Sequence, residues 1–294
     1  MPVAGGKYKP WNYRNISSVR TDRLHGSQRF FVERYNQMTS GSDNSGDLLL
    51  FIHGFNCGYQ NFCENLDTFY NDYVKPGSNI SQVVGFTWPS NSKLFDYKDD
   101  RTDAKQAAIA FDRGYNKLLR FFRHFFATKE NEPCDRNIHL ICHSMGNQVF
   151  ENFVADMIDQ YGLREMFKEV IMAAPDVSYL AFEPGKPLYR IRELCERVHV
   201  YTHSKDRALG ISRYTKNFEK RLGNNGPANF GRVPDNISFI DCTNVSDQSG
   251  IGNNLIDHSY FQQSPSVTKD IGEVLNGKTP NRQQGQFSNQ FTLG

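Results

Sequence analysis

No run of apolar residues in this 294-residue sequence comes near the roughly 20 that a membrane-spanning helix needs, so no transmembrane segment is expected. Excess charge of either sign is also missing. The 34 Lys and Arg nearly cancel the 32 Asp and Glu, leaving +2, which gives no general pull towards nucleic acid or an anionic membrane. The six cysteines (57, 63, 134, 142, 195 and 242) form no C-x-x-C pair and no zinc spacing, so a redox motif and a structural metal are not expected. Cys142, Cys195 and Cys242 stand among apolar residues and are read as buried thiols. A Cys57–Cys63 bridge is disfavoured in a reducing compartment. The opening M-P-V-A-G-G-K-Y-K-P-W lacks the apolar core of a secretory signal, and the chain is expected in the cytoplasm. There is no internal repeat.

What is present suits a globular fold with a sizeable core: 38% hydrophobic and 22% charged residues. Short apolar runs recur at strand length: Asp47–Ile52, Gln82–Thr87, Ile138–Cys142, Glu169–Ala174, Arg197–Tyr201 and Ile237–Ile240. Between them lie helix-period patterns. One carries Phe62, Leu66, Phe69, Tyr70 and Tyr73. A second carries Ala107, Phe111, Tyr115, Leu118, Phe122 and Phe125. A third runs from Val149 through Phe153 to Met157 and Tyr161, and the last from Val267 to Leu275. The interleaved R-F-F-R-H-F-F at 120–126 is best read as the second of these helices, with aromatics on the core stripe and arginines outside. Strands alternating with helices of this length predict an α/β architecture, a mostly parallel central sheet with helices on both faces. Residues 1–46 read as an N-terminal extension with edge strands around Phe30–Val32. Residues 47–277 form the main domain, with 207–236 an insert that could act as a lid. Residues 278–294, rich in Gln, Asn, Ser and Gly, read as a flexible tail.

In such sheets chemistry gathers at the carboxyl ends of the strands. At one of them stands I-C-H-S-M-G-N, with Ser144 at the apex of a strand–turn–helix unit. This is the layout of a nucleophile elbow, whose tight turn requires small residues two before and two after the serine. Gly146 meets the second requirement, and Cys142 stands where the first glycine would be. A serine hydroxyl needs a base to take its proton and backbone N–H groups to meet the oxyanion. Of the eight histidines, His139 and His199 lie in strands, His124 on a helix and His25 in the N-terminal segment. His143 is next to the serine, where side chains diverge. His203, in a strand-exit loop, stays open as an alternative, and His258, in a late loop that can swing over the elbow, is the favoured base. For the acid, Asp206 at a strand exit is favoured and Asp176, in A-A-P-D-V, is its rival. Asp241 and Asp257 are closer in sequence but worse placed. The backbone N–H groups of Met145 and of Phe55, in H-G-F-N, are the expected oxyanion donors, with Gly54 allowing close approach and His53 holding the loop. Trp88 and Tyr59 are expected in the core, with an acyl pocket as the alternative.

The set L-L-F-I-H-G-F-N, G-F-T-W-P-S, I-C-H-S-M-G-N, A-A-P-D-V, S-K-D-R-A-L and D-H-S-Y-F, in this order, resembles the α/β-hydrolase superfamily, and within it a poorly characterised bacterial branch of esterase- and lipase-like enzymes. The resemblance covers about Asp47 to Gly277. It implies the α/β-hydrolase fold, the chain order Ser144, Asp206, His258, hydrolysis of a small-molecule or lipid acyl ester through an acyl-serine, and no metal or organic cofactor. Lipase, phospholipase, thioesterase and amidase specificities remain open, as does a hydrolase-fold binding protein without catalysis. Epoxide hydrolase and dehalogenase chemistry is disfavoured, because those relatives carry Asp where Ser144 stands.

Overall fold

The structure, a computed structural model, describes residues 26–39, 46–90, 97–126, 136–160, 165–210, 219–247 and 258–294. Residues 1–45 and 113–136 group as one compact unit, and residues 46–112 and 137–294 as another. In the first unit the described chain includes α1 (Ser27–Thr39), on which Val32 and Met38 are buried. The expected edge strand at Phe30–Val32 is therefore a helix. Its short apolar patch has neither the alternation nor the length to decide between the two states.

The second unit is built on strands β1 (Asp47–Ile52), β2 (Ile80–Phe86), β3 (Ile138–His143), β4 (Phe167–Ala173), β5 (Cys195–Thr202), β6 (Ile237–Asp241), β7 (Gln283–Gln284) and β8 (Gln290–Thr292). They form an eight-stranded sheet in the order β2-β1-β3-β4-β5-β6-β8-β7. All neighbours are parallel except β7 and β8. The central strands are continuous apolar runs because both faces are covered. On one face Leu49, Phe51, Ile141, Ile171, Tyr201 and Ile240 pack with Phe62, Phe69 and Tyr73 of α2 (Tyr59–Tyr73) and with Val267, Ile271 and Val274 of the last helix. The alternate residues Ile52, Leu140, Cys142, Val170, Met172, Val198 and Val200 are equally buried. That second face is served by α4 (Gly146–Gln160) and by the part of α3 (Tyr97–Phe126) up to Asp112: Phe111 meets Phe86 and Phe153 edge-on, with ring centroids 5.0 and 4.9 Å apart. Each such side chain contributes roughly 1.5–3 kcal/mol by leaving water. On α2 the expected stripe holds except at Tyr70, which is exposed. The side chains of 118–126, and with them the arginine–aromatic pattern, lie outside the described residues.

The last helix, α5 (Pro265–Leu275), is capped by Ser264, whose hydroxyl accepts from the Val267 N–H. Beyond it the chain departs from expectation. Residues 278–294 are not a loose tail: β8 pairs in parallel with β6, and β7 closes a hairpin on it. Composition suggested disorder because Gln and Asn bury little apolar surface, but main-chain pairing does not need it. The anchor is Arg282, whose guanidinium donates to both Asp270 oxygens at 2.9 and 2.6 Å and to the Tyr201 hydroxyl at 3.2 Å.

Strand register sets the site. Ile52 is level with Cys142, Cys142 with Met172, Ala173 with Tyr201, and Thr202 with Asp241. The loops after β1, β3, β4 and β5 therefore leave the sheet side by side. β2 and β4 lie on opposite sides of the β1–β3 pair, so the order reverses there, which is where open sheets of this kind form a crevice.

Candidate active site

The elbow is two residues long: β3 ends at His143 and α4 begins at Gly146. Ser144 between them has φ 51°, in the left-handed region. A residue with a Cβ is held there at a cost of about 1–3 kcal/mol, so the surroundings must enforce it. They do so with hydrogen bonds. The Ser144 N–H donates to the Ala173 carbonyl at 3.0 Å, and the Ser144 carbonyl accepts from the N–H groups of Asn147 and Asp176 at 3.1 and 3.2 Å. The buried Asn147 amide donates to the Cys142 and Ser144 carbonyls, both at 3.1 Å. Gly146 is required by contact: a Cβ there would come within 2.6 Å of the carbonyl oxygens of both Ile52 and His53. Cys142, in the place of the first glycine, is fully buried in the sheet.

His258 and Asp206 meet. The imidazole Nδ1 lies 2.6 Å from Asp206 Oδ2. The other carboxylate oxygen accepts from the Leu209 N–H at 3.0 Å, and the Asp206 side chain is wholly buried. A carboxylate only accepts, so Nδ1 carries the proton and Nε2 is left with its lone pair. Burial opposes charge on His258, but the Asp206 charge, its hydrogen bond and the charge of Asp176 outweigh it, holding the pKa above the ordinary histidine value.

Asp176, the rival acid, is engaged elsewhere. Its carboxylate accepts from Gln148 Nε2 at 3.1 Å and lies 3.6 Å from Arg221 Nε, while its own N–H serves the Ser144 carbonyl. His203 is also occupied: Nδ1 accepts from the Lys205 N–H at 3.3 Å and the ring packs on Tyr260. His139 and His199 each place Nε2 on a buried carboxylate, Asp47 and Glu169, at 3.1 and 3.0 Å, the structural role expected of them. His25, the side chain of His124 and Asp257 lie outside the described residues.

The loop after β1 lies against the elbow. A Cβ on Gly54 would stand 2.7 Å from Ser144 Cβ and 3.1 Å from the His143 carbonyl oxygen, so only glycine lets the main chain come this close. His53 holds the loop. Its Nε2 accepts from the Trp88 N–H at 3.1 Å, which puts its proton on Nδ1, 2.9 Å from the Gly54 carbonyl. The Trp88 indole N–H donates to the His53 carbonyl at 2.9 Å, and the two rings stack with 6° between their planes. Burial lowers the His53 pKa, against the hydrogen bond to the Gly54 carbonyl. Phe55 is half-buried at the head of this loop, and Met145 is buried at the start of α4. Trp88 is in the core, whereas Tyr59 is 74% exposed and belongs neither to the core nor to an enclosed pocket.

Of the expected lid, residues 211–218 lie outside the described residues. Residues 221–223 are stitched to the strand exits: Leu222 N–H to Val177, Gly223 N–H to Pro175 and His203 N–H to Gly223, at 2.8–3.0 Å. Asn147, Gln148 and Arg221 were not legible as site residues. They are polar side chains whose partners come from distant chain, and no periodicity marks them. Among the described residues no group of three His, Cys, Asp or Glu could hold a metal ion, and no helix is long and apolar enough to cross a membrane.

A family model described as "Alpha/beta hydrolase of unknown function (DUF900)" matches residues 33–276. The uncharacterized protein alr1448 from Nostoc sp. is 25% identical over 263 residues, covering 72% of this chain and 63% of that protein, so the chain spans less than two thirds of this relative. Among solved structures, phospholipase PlaB from Legionella pneumophila matches with TM-score 0.38 and 15% identity over 79% of this chain and 60% of that one. The lin2722 gene product of Listeria innocua matches with TM-score 0.38 and 10% identity over 85% and 99%.

Proposed function

The chain belongs to the α/β-hydrolase family of unknown function whose model matches residues 33–276, and from that premise we propose that it is a serine hydrolase of carboxylic esters, acting through an acyl-serine. The observation that carries this reading is the 2.6 Å pairing of His258 Nδ1 with Asp206 in the same fold as a serine held at φ 51° between strand and helix. Such a serine is strained for a purpose, and such a histidine has its second nitrogen free to take a proton.

The steps follow. Ser144 Oγ attacks the acyl carbonyl of a small-molecule or lipid ester while His258 Nε2 takes the hydroxyl proton. Asp206 steadies the imidazolium. The oxyanion is met by the N–H groups of Phe55 and Met145. Collapse breaks the ester C–O bond, and the alcohol leaves with the proton from His258. Water then gives a proton to His258 and attacks the acyl-serine; the bond between the acyl carbon and Ser144 Oγ breaks, His258 returns the proton to Oγ, and the acid leaves. No cofactor is called for.

The test is hydrolysis of short p-nitrophenyl esters by the full chain and by Ser144→Ala. Turnover by the former and a loss of about 10⁴-fold or more in the latter is expected. Undiminished hydrolysis by Ser144→Ala would remove the serine from the mechanism.

A further inference from the structure

We propose that His143, the residue before the nucleophile, is a positioning residue that spaces the base-bearing loop from the oxyanion loop; this rests on Ser144 and His258 being nucleophile and base. Its Nε2 lies 3.2 Å from the main-chain carbonyl of His258. A carbonyl only accepts, so Nε2–H donates and fixes the backbone that carries the base. On its other side, Nδ1 would be 3.2 Å from a Cβ built on Gly54, so the ring also abuts the donor loop. The ring is packed against those of His258 and Phe261, with centroids 4.8 and 4.5 Å away. One imidazole thus bonds the chain of one loop and lines the space that Gly54 leaves open in the other, while sharing its backbone with Ser144. It must stay neutral to keep one tautomer. Burial, then the neighbouring charge of His258, holds it well below the usual histidine range, the carbonyl bond opposing and His53 adding to the depression.

The substitutions that test this follow from the atoms. Gln places its amide nitrogen where Nε2 stands, Asn places its own where Nδ1 stands, and Phe keeps a ring without a donor. His143→Phe and His143→Asn are expected to lose about 5–10-fold in kcat with KM within about twofold, and His143→Gln to recover most of it, the size expected for one hydrogen bond. A merely space-filling role would instead favour Phe over Gln, and that order, or three variants equal to the parent, would overturn the proposal. Where a variant does not fold, nitrogen-resolved NMR of the unaltered protein decides: His143 is expected as a neutral Nε2–H tautomer that does not titrate between about pH 5 and 9, the range around the ordinary histidine value, and an Nδ1–H tautomer or titration there contradicts it. The parent reading fails separately, through an active Ser144→Ala. An inactive Ser144→Ala with an indifferent His143 series defeats this inference alone.

Discussion

His258 can serve as a base only once it has lost its Nε2 proton, and Asp206 makes that loss harder. The carboxylate at 2.6 Å favours the imidazolium, so activity is expected to rise with pH through a midpoint above the ordinary histidine value. Asp206→Asn removes the charge that holds the midpoint up and leaves the tautomer unenforced. The pH–rate midpoint should move down and kcat fall by roughly 10⁴-fold. Asp176→Asn touches His258 only through its field and should shift the midpoint less, with kcat much nearer the parent. A pH–rate profile of both variants checks this, and the reverse ranking would return Asp176 as the acid. Stability has its own sign. Because the folded pKa is raised, the pair stabilises the fold fully below the unfolded histidine pKa, while Asp206 is still charged, and the gain fades as pH rises through the folded value. At this scale the positions proposed for nucleophile, acid and base, Ser144, Asp206 and His258, were legible as strand exits and a late loop. The roles of Asn147 and His143 were not, since they exist only through contacts with chain far away in sequence.

In the proposed mechanism the chemistry belongs to loops and not to strands, and two glycines determine how closely those loops approach. Gly54 lies where any side chain would strike Ser144 Cβ at 2.7 Å, and Gly146 where one would strike two carbonyl oxygens at 2.6 Å. Neither obstacle is the tip of a flexible side chain, so the loop itself must move. Gly54→Ala should therefore push the Phe55 N–H off the oxyanion and cost about 10²–10³-fold in kcat, with about 1–3 kcal/mol of stability lost to the forced shift. Measuring kcat beside the melting temperature checks it, and a fully active Gly54→Ala would place the donors elsewhere. The central strands were legible as apolar runs, within two residues at each end, because burial on both faces leaves few polar residues among them. Helix α1 was not, for Phe30–Val32 is too short to show a period. Strands β7 and β8 were not, because hydrogen-bonded edges and the Arg282–Asp270–Tyr201 anchor leave no hydrophobic trace.

For the whole molecule, the sheet is what turns separated residues into neighbours. Asp206 and His258 stand 52 positions apart and His143 and the His258 carbonyl 115, yet parallel register and the reversal of strand order between β1 and β3 deliver their loops to one edge. An α/β sheet was legible from alternation alone; the place of the site was legible only as a rule about strand ends, and the buried contacts of Asp176 with Arg221 and Gln148 only in three dimensions. If these segments form one reaction centre, a single hydroxyl in the chain should be activated. The most direct measurement is reaction of the full chain with a fluorophosphonate, followed by digestion and mass spectrometry to locate the adduct. Stoichiometric modification confined to Ser144, much slowed in His258→Ala, is the expected result. A folded protein that takes no label, or takes it at another residue, would contradict the assignment of Ser144 as nucleophile.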